Sequence, residues 1–427
     1  MTKRIGFFSI FAYVVGSSVG AGIFLIPASL AKYGSISLLG WLFTAMGTLL
    51  IAFSFIRLSR QSPHAGGPYA YSREVLGKFW GYQVVWNYWV SNWLSNAALA
   101  VGFAAYLSVF FPAIHSIPLY GFLASSGIIW LMTFVNLLGI YESGIIQVIS
   151  TALKLIPIAL ILCLGVPHVD FANFSPFLGD GMAPMAAIMG ASTITMWAFL
   201  GFECGTVPAQ SVENADKVIP RATFWGTILV VLICIGTSAL AMGMIPQDIL
   251  ATSASPFSLI ARTLFGPYGE TLMSIVVLIS TLGTINAMTM LQGQLPAAAA
   301  AHGDFPRRFA RLNKRQAPAF ATVFSSILIT AVLAMNYMDS LVNQFTALLL
   351  LSTMTALVTY LMTVIADYKK KGLKKAASLK VGIQVVLSII YIIWAMIGAG
   401  GKSLLFESLL IGGLSLFYAV FMRYKKK

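Results

Sequence analysis

Two interrupted apolar segments indicate the fold, Gly16-Ser17-Ser18-Val19-Gly20-Ala21-Gly22 and Ala198-Phe199-Leu200-Gly201-Phe202-Glu203-Cys204-Gly205. Glycines interrupt a long apolar segment in each, and the second stretch also carries a carboxylate. They occupy corresponding places in two successive sets of five apolar segments. Paired interruptions are typical of transporters built from inverted repeats, with a binding site near the middle of the membrane. The alternative is close helix packing, since Gly16 and Gly20 form a GxxxG motif.

The composition predicts an all-α membrane protein. Of 427 residues, 58% are hydrophobic and 9% charged, and the mean hydropathy is +0.85, whereas soluble proteins carry about 25% charged residues. A spanning helix needs roughly 20 mainly apolar residues. We place about twelve spans, at residues 6–33, 36–58, 80–110, 118–138, 145–166, 183–208, 222–244, 268–298, 319–336, 341–366, 380–399 and 403–422. No long polar segment interrupts them, so residues 1–427 form a single transmembrane domain.

The distribution of charge predicts the topology. With both termini in the cytoplasm, Lys32, Arg262 and Lys402 are the outer basic residues, Lys154 lies within a span, and the other 23 of the 27 Lys and Arg are cytoplasmic. This asymmetry follows the positive-inside rule. It also accounts for the net charge of +14 without a nucleic-acid partner. We expect a multi-pass inner-membrane protein that retains its first span, because the first apolar stretch is too long for a signal peptide.

Cofactor and enzyme chemistry are not expected. The three cysteines and four histidines show no metal-ligand spacing, and no nucleophile, base and orienting group occur together in a pattern typical of a catalytic site. A channel is disfavoured because no filter motif or ring of charges repeats. A membrane receptor or a structural subunit is a further possible class of protein. A measurement of amino acid transport into proteoliposomes would distinguish this class from a transporter.

Two charged residues are predicted inside the membrane, Glu203 and Lys154. Such a group costs about 2.5–3.5 kcal/mol on insertion scales, so a functional role is the default hypothesis. The alternatives are a protonated Glu203 hydrogen-bonded within the bundle and a Lys154 whose amine reaches the interface. Trp197 lies one and a half turns before Glu203, and its ring face could hold a cation.

Several motifs together resemble the amino acid–polyamine–organocation superfamily. They are Gly20-Ala21-Gly22-Ile23-Phe24 with Pro27, Met196-Trp197-Ala198-Phe199-Leu200-Gly201-Phe202-Glu203, Val212-Glu213-Asn214, Ile219-Pro220-Arg221, Gly293-Gln294 and Phe305-Pro306 with Phe309-Ala310-Arg311. The resemblance covers nearly the whole chain. It implies the LeuT-type fold, with helices 1 and 6 broken, inverted repeats at about 6–166 and 183–366, and two extra helices at about 380–422.

Within the superfamily, Tyr88-Trp89, Trp93, Asn96, Tyr106-Leu107-Ser108 and Phe110-Phe111-Pro112 are most similar to bacterial arginine–agmatine antiporters. Exchangers of putrescine and ornithine or of cadaverine and lysine are close behind. The resemblance implies a substrate site made of Ala21, Gly22, Ile23, Asn92, Asn96, Trp197, Leu200, Met288 and Ser352. In it, amides near Ala21 and Gly22 hold the carboxylate, Trp197 contacts the tail, and Asn96 and Ser352 bind the distal end. Tyr88, Glu203 and Tyr360 match the inner gate, with Glu203 as its proton-sensitive carboxylate.

Three positions depart from the arginine–agmatine pattern. Ala21 replaces a serine, and Met288 replaces a gating tryptophan. Lys154 resembles instead the fifth-span lysine of proton-coupled and neutral amino-acid branches, where its ammonium takes the place of sodium. The first two departures weaken arginine recognition, and the third argues against sodium coupling.

The sequence therefore predicts a sodium-independent antiporter that exchanges a cationic amino acid for its decarboxylated amine. The alternative is a small neutral amino acid exchanger or a proton-coupled symporter, which Met288 and Lys154 favour. The partners expected are an amino acid or amine substrate and the lipid bilayer, and a homodimer is compatible with the sequence.

Overall fold

Helices make up nearly all the regular structure of the residues that are described. The computed structural model describes residues 6–18, 21–61, 67–138, 144–203, 212, 214–315, 317–373 and 379–425. Within them the helices are α1 (Phe7–Ser18), α2 (Ala21–Ala31), α3 (Ser37–Gln61), α4 (Gly67–Leu76), α5 (Lys78–Leu107), α6 (Ala113–Ser116), α7 (Pro118–Leu137), α8 (Gly144–Gly165), α9 (Pro184–Trp197), α10 (Ala215–Met244), α11 (Gln247–Thr252), α12 (Pro256–Ala301), α13 (Ala319–Asn336), α14 (Leu341–Leu373), α15 (Leu379–Gly398) and α16 (Gly400–Lys425).

Helix length and composition agree with a protein that crosses the membrane several times. Among the described residues, eight helical stretches are long and apolar enough to cross a bilayer. They correspond to predicted spans 1, 2, 4, 7, 8, 10, 11 and 12. The other four predicted spans fall on α5, α8, α9 and α13. The all-helical membrane class is thus confirmed, and the count of twelve spans stays a prediction.

Helix α5 lies at the centre of the bundle and positions the site. It packs against α2, α4, α7, α12, α13 and α14. Small residues let these neighbours approach closely, as at Ala97, Ala98 and Ala104, which have no exposed surface. Close approach of this kind is how helices associate in a membrane, where burying apolar surface gives no driving force between them.

The outer surface of the bundle is strongly apolar. On α7, Phe134 is 60% exposed, and on α15 and α16 Ile390, Leu409 and Leu416 are 56–73% exposed. A soluble protein rarely exposes so much contiguous apolar surface. These faces are suited to contact the lipid, as the composition predicted.

Candidate substrate site

The two glycine interruptions approach each other in space. α1 ends at Ser18 and α9 at Trp197, and the Ser17 hydroxyl donates a hydrogen bond to the Gly201 carbonyl at 3.1 Å. Gly201 has a φ of 110°, a conformation that favours glycine. Residues 19–20 and 204–211 lie outside the described residues. The breaks predicted in helices 1 and 6 therefore stay predictions, although the segments beside them are in contact.

A small cavity lies at this contact, with a volume of about 20 Å³, which is roughly the room that one water molecule needs. Its lining mixes hydroxyl and apolar groups and consists of Ser17, Ser18, Ser95, Leu99, Trp197, Leu200, Thr284 and Met288. Trp197, Leu200 and Met288 were predicted for the substrate site. The other five were not, because single serines, threonines and leucines in apolar spans have no pattern that separates a lining residue from a packing residue.

Trp197 forms one wall of the cavity and is held on three sides. A Cβ added to Gly22 would lie 1.7 Å from the indole ring, so α2 must have glycine at this position. The indole Nε1 donates to Ser95 Oγ at 3.1 Å, and Phe345 meets the ring edge-on at a centroid distance of 5.5 Å. The next residue of α2, Ile23, is 1% exposed. The predicted partners Gly22 and Trp197 are thus in direct contact.

Ser352 reaches the cavity wall through a chain of hydroxyl groups. It has no exposed surface, and its Oγ lies 2.6 Å from Ser95 Oγ. The Ser352 hydroxyl donates to the Ser91 carbonyl at 2.9 Å, which leaves its oxygen to accept from Ser95. Hydrogen bonds therefore run in one direction, from the Trp197 indole through Ser95 and Ser352 to the backbone of α5. The chain ties α5, α9 and α14 together beside the cavity.

The two predicted asparagines point towards α12. Asn96 Nδ2 donates to Thr289 Oγ1 at 3.1 Å and to Gln292 Oε1 at 3.0 Å. Asn92 Nδ2 lies 3.2 Å from the Met288 sulfur. Asn92 thus contacts a cavity residue, whereas the Asn96 amide nitrogen is already used between two helices. Periodicity could not reveal this, because both residues lie on the buried surface of α5.

Glu203 is the centre of a buried polar cluster. Its side chain is 1% exposed. Tyr88 Oη donates to Oε1 at 3.0 Å, Tyr360 Oη donates to Oε2 at 2.7 Å, and the Gly201 N–H donates to Oε2 at 3.1 Å. The three residues predicted for the inner gate therefore come together from α5, α14 and the segment after α9. Their role in gating stays a prediction.

Lys154 approaches the cavity through a hydroxyl. It is 4% exposed, and its Nζ donates to Thr284 Oγ1 at 3.0 Å. Thr284 donates in turn to the Ser280 carbonyl at 3.0 Å and also lines the cavity. The ammonium thus lies one hydroxyl away from the cavity and links α8 to α12. The role of Lys154 as a substitute for sodium stays a prediction.

A partly buried ion pair includes Asp367, which lies seven residues beyond Tyr360 on α14. Arg57 of α3 donates from Nε to Asp367 Oδ2 at 2.9 Å, and the Asp367 side chain has no exposed surface. Phe55, two residues before Arg57, packs edge-on against Tyr360 at 5.4 Å. The sequence placed Arg57 and Asp367 near the cytoplasmic ends of spans but could not pair them, because 310 residues separate them.

Glu407 corrects the expectation that Glu203 is the one carboxylate within a span. It lies in α16 and is 2% exposed. Neither of its oxygens has a hydrogen-bond partner in the part of the chain that the structure describes. From the sequence alone, Glu407 counts as a residue near a span end, because it lies only four residues inside the predicted boundary at 403.

Comparison with known proteins gives consistent matches. A family model described as "Amino acid permease" matches residues 5–416. The chain is 31% identical over 336 residues to a cadaverine/lysine antiporter of Escherichia coli, with 78% of this chain and 74% of the relative covered. It is 29% identical over 434 residues to an arginine/ornithine antiporter of Pseudomonas aeruginosa, with 96% and 89% covered. An arginine/agmatine antiporter of Chlamydia pneumoniae is 29% identical over 449 residues, with 100% and 91% covered.

Proposed function

The chain belongs to the amino acid permease family, as its motifs indicated, and on this premise we propose that it is a sodium-independent antiporter of the bacterial inner membrane. It exchanges a cationic amino acid for its decarboxylated amine by alternating access. The printed names of its relatives pair lysine with cadaverine and arginine with agmatine. The observation that carries the proposal is the cavity at the contact of the two glycine interruptions, with Trp197 in its wall and the Glu203 cluster three residues beyond Leu200.

The proposed architecture is a LeuT-type fold of twelve spans with cytoplasmic termini. The inverted repeats cover about 6–166 and 183–366, and two extra helices follow at about 380–422. Support comes from the eight described helices suited to cross a bilayer and from the bond between Ser17 and Gly201. Inverted repeats place their interrupted helices together at the midplane, and such a bond is expected there.

The substrate carboxylate binds at the start of α2. The backbone N–H groups of Ala21, Gly22 and Ile23 belong to its first turn, and such groups lack partners within the helix and attract an anion. The tail then extends along Trp197 and Leu200 towards Met288. Ser352 contributes to binding the distal end of the substrate indirectly, through its hydrogen bond with Ser95. Asn92 contributes next to Met288. Asn96 binds substrate directly only if its amide turns away from α12.

The cluster of Tyr88, Glu203 and Tyr360 acts as the inner gate. The two tyrosines come from α5 and α14, and both hydrogen bonds end on one carboxylate. A carboxylate accepts both bonds, whereas protonation gives it a donor and removes its charge. Protonation of Glu203 therefore weakens the contact between the helices and couples pH to opening.

Obligatory exchange requires that the filled site, but not the empty one, favours reorientation. A ligand shifts a conformational equilibrium only by its differential affinity for the two states. Trp197 and the Ser17–Gly201 contact lie where the moving segments meet at the cavity. A substrate that bridges these segments lowers the energy barrier to reorientation of the site. Both the amino acid and the amine satisfy this condition through the tail that they share.

A second candidate function is exchange or proton symport of small neutral amino acids. The observation that favours it is the Lys154 ammonium, 3.0 Å from the cavity residue Thr284. A fixed positive charge near the site disfavours a cationic tail. Met288 adds an uncharged, flexible wall suited to apolar side chains.

The test uses purified protein in proteoliposomes loaded with one internal solute. We expect cadaverine, agmatine or putrescine inside the vesicles to drive uptake of labelled lysine, arginine or ornithine, with sodium or choline outside. Empty vesicles serve as the control. Uptake driven by internal alanine but not by amines supports the second candidate, and uptake into empty vesicles under a proton gradient contradicts antiport.

A further inference from the structure

A large apolar groove lies on the outside of the bundle, away from the substrate cavity. It is lined by α8 and α12 and has a volume of about 460 Å³, which lies within the roughly 300–1,000 Å³ range of ligand clefts. Leu160 and Leu164 contribute from α8, and Phe265 and Leu272 from α12. These four side chains are 45–65% exposed. In a membrane protein, an exposed apolar groove of this size is suited to a hydrocarbon chain.

The shape of the groove depends on a reversal of the backbone within α12. Gly266 has a φ of 69° and a ψ of −161°, which non-glycine residues do not readily adopt. The segment Pro256–Phe265 therefore folds back on the helix that follows. A Cβ at Gly269 would lie 2.3 Å from the Ala261 carbonyl oxygen, so the two parts are in close contact. Residues from both parts line the groove.

An ion pair spans this reversal next to the groove. Arg262 Nη1 lies 3.5 Å from Glu270 Oε2, and the side chains are 60% and 27% exposed. Arg262 follows the lining residue Ala261, and Glu270 follows the lining residue Gly269. A long and exposed pair contributes little by itself, so both groups are available to a further partner. Tyr268, 89% exposed, lies between them in sequence, as is typical of aromatic residues at a membrane interface.

We propose that this groove binds one phosphatidylethanolamine molecule. One acyl chain lies in the groove, the phosphate binds the Arg262 guanidinium, and the head-group ammonium binds the Glu270 carboxylate. Arginine suits phosphate because its planar fork can form two parallel hydrogen bonds. Neighbouring groups of opposite charge match a head group that carries both charges. Phosphatidylglycerol lacks the cation, and phosphatidylcholine lacks N–H donors for the carboxylate.

The bound lipid supports the segment that covers α2. Phe257, in the segment Pro256–Phe265, packs edge-on against Phe24 of α2 at 5.4 Å, and its N–H donates to Tyr106 Oη at 3.4 Å. Phe24 lies two residues after Gly22, which contacts Trp197. The lipid therefore holds the α12 segment against the helix that carries the proposed carboxylate site.

Native mass spectrometry of the full chain tests the proposal. The protein is released from nanodiscs that contain equal amounts of phosphatidylethanolamine, phosphatidylglycerol and phosphatidylcholine. We expect one retained phosphatidylethanolamine per chain, at about tenfold excess over the other two lipids. Arg262→Gln and Glu270→Gln should each reduce retention about tenfold, and Leu160→Trp should reduce it by filling the groove. These magnitudes follow from the loss of one charged hydrogen bond at a partly exposed site.

Matched variants separate the groove from general effects. Lys402→Gln removes another basic residue predicted on the same side of the membrane, and Leu131→Trp enlarges an exposed leucine on α7, so both should retain the lipid. Equal retention of the three lipids by the wild type, or normal phosphatidylethanolamine retention in Arg262→Gln, overturns the proposal. A dimer mass that Leu160→Trp converts to a monomer also overturns it, because the groove would then hold a second copy of the chain.

Discussion

Glu203 and Glu407 are both buried carboxyl groups, 1% and 2% exposed, but their surroundings differ. Glu203 accepts hydrogen bonds from Tyr88, Tyr360 and the Gly201 N–H. Glu407 has no hydrogen-bond partner for either oxygen within the described residues. Burial of a carboxyl group costs free energy unless hydrogen bonds replace its contacts with water. Burial alone therefore does not distinguish the two carboxyl groups, whereas hydrogen-bond partners from several helices do, and we propose the gating role for Glu203 on this ground.

The positions of the two residues fit this difference. Glu203 lies where α5, α14 and the segment after α9 meet, so its hydrogen bonds join parts of the proposed transport machinery. Glu407 lies in α16, which packs against α5, α14 and α15 and which we place outside the inverted repeats. A network that joins moving helices can report a change of charge to all of them. A carboxyl group without such hydrogen bonds cannot transmit a change of its own charge to several helices in this way.

The largest expected effect comes from removing Glu203. Glu203→Ala leaves two tyrosine hydroxyls without their acceptor, and the loss of two charged hydrogen bonds predicts exchange slower by about 100-fold or more. Glu203→Gln keeps the shape and hydrogen bonding but cannot titrate, so it should transport with a flattened pH profile. Exchange measured over a pH series checks both. If Glu203→Gln keeps the wild-type pH dependence, the carboxylate is structural and the sensor lies elsewhere.

Lys154 is a buried cation that can be compared with the two buried carboxyl groups, because its hydrogen-bond partner is known to be Thr284. Replacing sodium with choline should leave wild-type uptake unchanged, whereas Lys154→Ala should reduce uptake about 10- to 100-fold, through loss of a charged hydrogen bond. Uptake in both salts is the measurement. Thr284→Ser keeps the acceptor for the ammonium and serves as the matched control. A collapse of wild-type uptake in choline would contradict the role of Lys154 as a substitute for sodium.

Trp197 is an uncharged residue near the Glu203 cluster, and its replacement tests substrate binding without changing the charge of the site. Trp197→Leu should weaken substrate binding by about 1–3 kcal/mol, from lost aromatic area and cation–π contact. Calorimetry of substrate binding measures the change, and Trp130→Leu, at a 40% exposed tryptophan on α7, is the control. Unchanged affinity in Trp197→Leu would remove this residue from the site.

The smallest effect on transport is expected at Glu407. Glu407→Leu removes two buried oxygens that have no described partner, so exchange should stay at the wild-type rate. The free energy of unfolding should rise by about 1 kcal/mol, which thermal unfolding in detergent can detect. Loss of exchange in a stably folded Glu407→Leu protein would break the comparison and give Glu407 a role like that of Glu203.

Several residues of the candidate site could be found from the sequence because they lie next to local signals. Gly22, Trp197 and Glu203 belong to the two glycine interruptions, and Tyr88 and Tyr360 came from the family resemblance. The structure brings Gly22 against Trp197 and both tyrosines against Glu203. Ser95 and Thr284 were not found, since a hydroxyl in an apolar span more often bonds to its own helix or to a neighbour.

The class of the molecule and its family can be inferred from the amino-acid sequence without a structure. Apolar stretches of spanning length, a low charge content and the placement of basic residues require a membrane protein, because unpaired polar backbone and charge are costly in lipid. Which residues meet at the cavity became clear only from the packing of the helices. The same holds for the contact of the Asn96 amide with α12, the contact of Lys154 with Thr284, and the burial of Glu407. The reason is physical: lipid tails and helix interfaces are equally apolar, so hydropathy does not distinguish the inner face of a spanning helix from its outer face.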